Sequence, residues 1–214
     1  SSAASDVYKR QYLFVYNPEK GVEIALYPVD KTHLLDTSFL PSVDRERFEL
    51  INHTQKRAEF LASRYALNYL VPNYSLTYEE RRPDLDSGEH VSLTHCTKYG
   101  GAMYGHDKRV GLDVELHRPE LMKIARKFVR IDEKRYIIPG EELFFYQILW
   151  SAKEALFKLW KKGNVYFKED LKVEPFEVEE EGITYAQIFK NEIIKCKVHF
   201  SVLDGAYLVY AIEE

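Results

Sequence analysis

The segment Val110-Gly111-Leu112-Asp113-Val114-Glu115 ends in an alternation of apolar and acidic residues. Side chains of an extended strand alternate between faces, so Asp113 and Glu115 share one face while Leu112 and Val114 point into the core. Two carboxylates side by side on a rigid strand suit a hard, oxygen-seeking cation such as Mg²⁺, which takes part of its shell from substrate phosphates. The same pattern also describes a strand with a solvated acidic face. A second candidate lies on the helical stretch from Glu141 to Lys162. At ~100° per residue, Gln147, Ser151, Glu154 and Lys158 fall on one narrow stripe, and Phe145, Ile148, Leu149, Ala152, Ala155, Leu156, Leu159 and Trp160 cover most of the remainder. A thin polar seam on an apolar cylinder predicts a mostly buried helix that lines a site. The bland alternative is an exposed Glu154 and Lys158 pair at i, i+4, worth about 0.3–0.5 kcal/mol. Lys153 lies about 100° from Glu154 and serves a different face, among Tyr146, Trp150 and Phe157.

Elements that must position these groups follow from periodicity and turn residues. Tyr12 to Tyr16 and Val22 to Tyr27 read as neighbouring strands with Asn17-Pro18 and Lys20-Gly21 between them. Asp44 to about Leu70 reads as helix, stopped by Pro72 and Asn73, and Glu79 to Glu89 as a surface loop. Val91 to His95, Gly100 to Tyr104 and Val110 to Glu115 read as strands, and Pro119 to Arg130 as an amphipathic helix. After the long helix come strands at Val165 to Phe167, Leu171 to Val178, Lys195 to Val202 and Ala206 to Ile212, the last two joined by Asp204-Gly205. Each half thus has strands flanking a long helix, so the expected fold is α+β, a pseudo-dimer of two similar halves, residues 1–105 and 106–214.

Length and composition agree with a globular chain. At 214 residues the protein exceeds a prior of roughly 150 residues per domain, and on the order of 70% of the unfolded surface can be buried. Hydrophobic residues at 45% and charged residues at 30% argue against disorder. A net charge of −4 disfavours a dedicated nucleic-acid or anionic-membrane binder, though it leaves room for a local basic patch. Cys96 and Cys196 are far apart and form no zinc or disulfide pattern, which favours a reducing, cytoplasmic setting. No apolar run approaches the ~18 residues of a membrane span. The small-residue start, Ser1 to Ser5, is set aside from fold reasoning.

VGLDVE at 110–115 and WSAKEALFK at 150–158 together resemble the two signature motifs of the 4′-phosphopantetheinyl transferases, a Gly-hydrophobic-Asp strand and a Trp-x-x-Lys-Glu-x-x-x-Lys helix. The spacing of about 40 residues from Asp113 to Glu154 also matches. Ser92-Leu93-Thr94-His95-Cys96 resembles the family's Ser-x-Ser-His-Ser strand end, with Thr94 and Cys96 where serines are usual, and Arg82-Pro83 resembles its Gly-Lys-Pro loop. Length and the Asp-x-Glu form are similar to the double-length, surfactin-synthetase-activating type. The resemblance implies that coenzyme A donates its phosphopantetheine arm to a serine of an acyl or peptidyl carrier protein, releasing adenosine 3′,5′-bisphosphate. It further implies Mg²⁺ on Asp113, Glu115 and Glu154, and Lys158 on a phosphate oxygen. Glu154, directly or through water, is the implied base for the carrier serine.

His95 is the implied contact to the 3′-phosphate, with Thr94 adding a hydroxyl and Arg82 a bidentate pairing group. Arg57 and Arg64, at i, i+7, either face the nucleotide or form a solvated basic face. Lys123, Arg126, Lys127 and Arg130 form a basic stripe beside Met122 and Phe128 on the helix after the metal strand. The family docks carrier proteins there, so the stripe is either a docking face for an acidic carrier or an ordinary charged helix face. The expected working unit is a cytoplasmic monomer with coenzyme A and Mg²⁺ between the two halves, serving fatty-acid, polyketide or peptide synthesis. The rival readings are a metal-dependent phosphodiesterase or nuclease, which leaves the Trp150 to Lys158 pattern unexplained, and a catalytically silent carrier-protein binder, although all three acids are present.

Overall fold

The computed structural model describes residues 12–79 and 82–214. Ser1 to Ser5 lie outside the described residues. The chain divides into two compact units, one through Asp107 and one from Lys108.

In the first unit β1 (Phe14–Glu19) and β2 (Val22–Pro28) form an antiparallel hairpin. Asn17 and Pro18 stand inside β1 rather than in the turn, and the register breaks between Tyr16 and Glu19. A proline that cannot donate to the ladder is tolerated on such an edge strand. The expected helix over 44–70 is two helices, α1 (Ser42–Glu49) and α2 (Thr54–Leu70). The expected loop over 79–89 contains the arm of a small hairpin, β3 (Leu76–Glu79) with β4 (Arg82–Leu85). With β5 (His90–His95) and β6 (Tyr99–Gly105), the main sheet runs β1-β2-β6-β5, antiparallel throughout. Helix α2 packs on β6 and β2 through Ala62, Ala66 and Leu67, which bury with Ala25, Tyr27 and Ala102. Gly100 permits this approach, because a Cβ there would lie 2.3 Å from the Ser63 backbone nitrogen.

The second unit starts with β7 (Val110–Leu116) and continues through the one-turn helix α3 (Leu121–Ile124) and tight 3₁₀ turns at Ala125–Lys127 and Glu133–Tyr136. The helix expected over 119–130 therefore stops at Ile124. The long helix α4 (Glu142–Trp160) ends where Lys161 turns left-handed, at φ 54°. Strands β8 (Leu171–Val173), β9 (Glu181–Phe189), β10 (Ile193–Leu203) and β11 (Ala206–Glu213) complete an antiparallel sheet in the order β7-β11-β10-β9-β8. The strand expected at Val165 to Phe167 is irregular chain, and β9 is a strand the residue pattern did not announce. Asp204 and Gly205, at φ 50° and 76°, make the two-residue turn between β10 and β11.

Helix α4 lies on the face of this sheet that carries Tyr207, Val209 and Ala211. Its Phe145, Ile148, Leu149, Ala152 and Leu156 form the unit's main core with those residues and with Val198 and Phe200. In both units a long helix thus covers one face of an antiparallel sheet, giving a mixed α and β architecture. Among the described residues no helix is long and apolar enough to cross a membrane, and neither Cys96 nor Cys196 is in a disulfide.

Candidate active site

Gly111, Asp113 and Glu115 pair across the ladder with Ala211, Val209 and Tyr207, so they share the sheet face on which α4 lies. This refines the expectation from sequence: the acidic face of β7 is the helix-covered one, and Leu112 and Val114 are buried on the other face, outside that core cluster. Gly111 explains how the helix comes so near. A Cβ at this position would lie 1.9 Å from the Ala155 carbonyl oxygen and 3.0 Å from the Leu159 nitrogen, so only glycine lets α4 press onto the strand. The missing side chain brings the 154–158 turn of α4 against Asp113.

At that contact the Lys158 ammonium donates to Asp113 Oδ1 at 2.8 Å and to the Leu112 carbonyl at 2.9 Å. The other carboxylate oxygen, Asp113 Oδ2, is buried and has no hydrogen-bond partner, on a residue only 3% exposed. One and two turns earlier on the same stripe, Ser151 Oγ and Gln147 Nε2 are likewise buried without partners. Gln147 Oε1 accepts the backbone N–H of Arg118 at 2.9 Å, which fastens the chain leaving β7 to the helix. Buried polar atoms in folded proteins are nearly always paired. Three such unpartnered atoms lie along this seam, and Trp150 Nε1 and Trp160 Nε1 on other faces of α4 are unpartnered as well.

Glu154 is half-buried next to this seam. Burial and the neighbouring Asp113 charge push its carboxyl up to about 7, against the opposing pull of Lys158. Glu115 is raised too, first by burial and then by Asp113, with Arg118 working in the other direction. Arg118 Nη1 stands 3.3 Å from Glu115 Oε1, and its guanidinium lies 5.6 Å from the centre of the Trp150 ring. Sequence reasoning did not single out Arg118. Its place three residues beyond Glu115, just past the strand end, was the available signal.

Burial and the Asp113 charge thus raise the proton affinity of both glutamates, as a like charge in a partly dry place does. Among the described residues no group of three or more His, Cys, Asp or Glu side chains is placed so that it could hold a metal ion. The donor chemistry nonetheless suits a hard divalent cation: the acids offer only oxygen, one oxygen is buried and unpartnered, and the cluster has an excess of negative charge over Lys158 and Arg118.

Lys153, the neighbour of Glu154, belongs to a different structure. It is fully buried and donates to Phe128 O at 2.7 Å, Glu133 Oε2 at 2.8 Å and Phe167 O at 3.0 Å. Burial lowers its pKa to about 8, with Glu133 resisting.

The expected docking stripe is only partly on the surface. Met122, Lys123, Arg126 and Lys127 are exposed. Phe128 is 1% exposed and packs edge-on against Tyr146 and Trp150, so it is a core residue and not a docking one. Arg130 is held by Asp132 at 3.0 Å and by the carbonyls of Lys168 and Glu169. The physical reason is apolar periodicity: Leu121, Ala125 and Phe128 stand at i, i+4 and i+7 and bury in one core cluster.

In the first unit the nucleotide candidates separate. Arg64 is buried and bridges Asp44 Oδ2 at 2.9 Å and Tyr78 Oη at 2.8 Å, while Tyr74 also donates to Asp44. It ties α1, α2 and β3 together and is not available as a surface cation, which corrects its reading as a nucleotide contact. Arg57 stacks on Phe48, its guanidinium 3.9 Å from the ring centre, and donates to the carbonyls of Phe48 and Ile51. It closes the break between α1 and α2. Arg82 opens β4, half-buried, and Thr94 is buried in β5. His95, at the end of β5, is exposed on one side and bonded through Nδ1 to Glu59 on the other.

The site thus consists of an acid pair on a strand, faced by a helix-borne glutamate and lysine. Residues 109–212 match the family model of the 4′-phosphopantetheinyl transferase superfamily. The match covers nearly the whole second unit, and with it Asp113, Glu115, Glu154 and Lys158. No curated protein matches the chain.

Proposed function

We propose that this protein transfers the 4′-phosphopantetheine arm of coenzyme A to a serine hydroxyl of an apo acyl or peptidyl carrier protein and releases adenosine 3′,5′-bisphosphate. The observation that carries this reading is the open acid and lysine cluster between β7 and α4, inside the segment that the family model matches. In the reaction the serine oxygen bonds to the pantetheine-side phosphorus of the pyrophosphate. The bond from that phosphorus to the bridging oxygen breaks, and the bridging oxygen leaves with the nucleotide.

Asp113, Glu115 and Glu154 would hold Mg²⁺. Bound to these oxygens, the cation would offset the negative charge that builds on the leaving phosphate. Lys158 pairs with Asp113 at 2.8 Å and brings a point charge to the phosphate side of the same cluster. Glu154, directly or through water, is the proposed acceptor of the serine proton. In this reading the second unit supplies the transfer chemistry, and the first supplies nucleotide contacts through His95, Thr94 and Arg82. The helix-on-sheet build of both units supports a duplicated, double-length form, proposed to work as a monomer in the cytoplasm. Met122, Lys123, Arg126 and Lys127 are the exposed residues offered to an acidic carrier.

The test is to incubate the protein with Mg²⁺, coenzyme A and an apo carrier protein and to weigh the carrier by mass spectrometry. The carrier is expected to gain one phosphopantetheine arm. No gain across fatty-acid, polyketide and peptide carriers overturns the reading.

A further inference from the structure

Glu59 on α2 has no exposed surface, yet it is a carboxylate. Burying such a group is costly unless it is paired and hydrogen-bonded. Its Oε2 accepts from Lys56 Nζ at 2.6 Å and lies 3.0 Å from His95 Nδ1, and its Oε1 accepts from Gln55 Nε2 at 3.3 Å. The partners lie nearer the surface: the Lys56 side chain is 58% exposed and that of His95 is 45%. In the Asp44 and Arg64 pair of the same unit, by contrast, both partners are buried, as befits a purely architectural contact. At Glu59 the acid is inside, and the nitrogen groups it gathers, the Lys56 ammonium and the His95 ring, are presented outward.

Positioning follows from the fold. His95 pairs with Gly100 across β5 and β6, and Gly100 is the residue that lets α2 close on the sheet. The close approach brings Glu59 beneath the end of β5. With Nδ1 bonded to the carboxylate, the imidazole ring is fixed in orientation and its Nε2 edge is turned away from Glu59.

From this geometry we infer that Glu59 is a positioning residue for anion binding at His95: it holds Nδ1–H and the Lys56 ammonium from below, so that the ring's Nε2–H and Lys56 converge on a phosphomonoester. A ring gripped by a carboxylate on one side and a phosphate on the other donates from both nitrogens, the imidazolium form. Lys56 and the imidazolium carry two positive charges against one on Glu59, and the surplus charge is met by the phosphate. The inference rests on the reading of His95 as the contact to the 3′-phosphate of coenzyme A. Glu59 then determines the preference for a nucleotide that bears this phosphate.

The experiment compares the affinities of adenosine 3′,5′-bisphosphate and adenosine 5′-monophosphate by calorimetry, for the intact protein and for Glu59→Gln, Glu59→Asp, His95→Ala and the Glu59→Gln/His95→Ala double variant. The intact protein is expected to prefer the bisphosphate at least about tenfold, and Glu59→Gln to lose about tenfold of that preference while binding the monophosphate unchanged. Once His95 is absent, Glu59→Gln should change the preference less than about twofold, since coupled residues are not additive. Glu59→Asp keeps the charge but shortens the reach, and it should also lose preference, which keeps the test open if Glu59→Gln does not fold. Preference retained in folded Glu59 variants overturns the positioning role. An intact protein that transfers phosphopantetheine but shows no bisphosphate preference overturns the His95 assignment and leaves the transferase reading standing. Absence of both transfer and preference overturns both.

Discussion

Helix α4 carries two acid and lysine clusters one residue apart in register, and they are opposite in kind. At Lys153 the ammonium has three acceptors within 3.0 Å, and Glu133 also accepts the backbone N–H groups of Val173 and Arg130. All three ammonium protons are used, and both carboxylate oxygens have partners. At Lys158 the count does not close: Asp113 Oδ2, Ser151 Oγ and Gln147 Nε2 lack partners, and Glu154 is pushed up to about 7 by burial and by Asp113. Residue types alone do not distinguish the two clusters. Satisfaction does: a closed polar network holds the fold, while an open one at similar depth costs stability and persists where ligand groups complete it.

The strongest way to break this contrast is Lys153→Met, which leaves Glu133 buried without its cation and should cost about 3–5 kcal/mol in urea unfolding. Glu133→Leu added to Lys153→Met should return part of that loss, because it removes the uncompensated buried charge but leaves the N–H groups of Val173 and Arg130 and the carbonyls of Phe128 and Phe167 without these side-chain partners. A double variant no more stable than the single one contradicts the closed-network account. Next in size, Asp113→Asn should lower phosphopantetheine transfer by roughly 10²–10³ and leave the unfolding midpoint unchanged or raised, since one of three mutually repelling acids is gone. A loss of stability comparable to that of Lys153→Met would erase the difference between the clusters.

A smaller effect sharpens the comparison through pH. Glu154 binds its proton more tightly when folded than the ordinary carboxyl of the unfolded chain. Between about pH 4.5 and 7 the folded state therefore holds more protons, and stability falls as pH rises through this window, by on the order of 1–3 kcal/mol. The slope should lessen in Glu154→Gln, leaving the share of the raised Glu115, and flatten with added Mg²⁺, which favours the ionised carboxylate; urea midpoints across the window measure both. Smallest of all, the exposed charges are neither closed nor open. Arg126→Glu with Lys127→Glu should move stability within about 0.5 kcal/mol and raise KM for the carrier several-fold, with KM for coenzyme A unchanged.

Much of the open cluster was legible because its geometry is local. Period two puts Asp113 and Glu115 on one face, and period 3.6 puts Gln147, Ser151, Glu154 and Lys158 on one stripe. The closed cluster was not legible, because Glu133 sits in the charged run Asp132-Glu133-Lys134-Arg135 and reads as solvated chain, while only tertiary packing buries it. Strand β9 was hidden for another reason: its inward residues are the small or polar Thr184 and Ala186 with Ile188, and Ile183 and Tyr185 face outward, which inverts the usual signal. Phe128 was misplaced because it was grouped with the neighbouring basic stripe, although it stands seven residues after Leu121 and three after Ala125, on the face that those two bury. Arg64 was misplaced because its partners, Asp44 and Tyr78, lie 20 and 14 residues away.

The central claim is that the open cluster is a reaction centre and not a second structural clamp. Its most direct test is to measure phosphopantetheine transfer and the unfolding midpoint on the same samples of the intact protein and Asp113→Asn, with Mg²⁺, coenzyme A and apo carrier. The account predicts that the intact protein converts the carrier and that Asp113→Asn, folded and as stable, converts it at least about a hundredfold more slowly. Transfer at an undiminished rate by folded Asp113→Asn would contradict it.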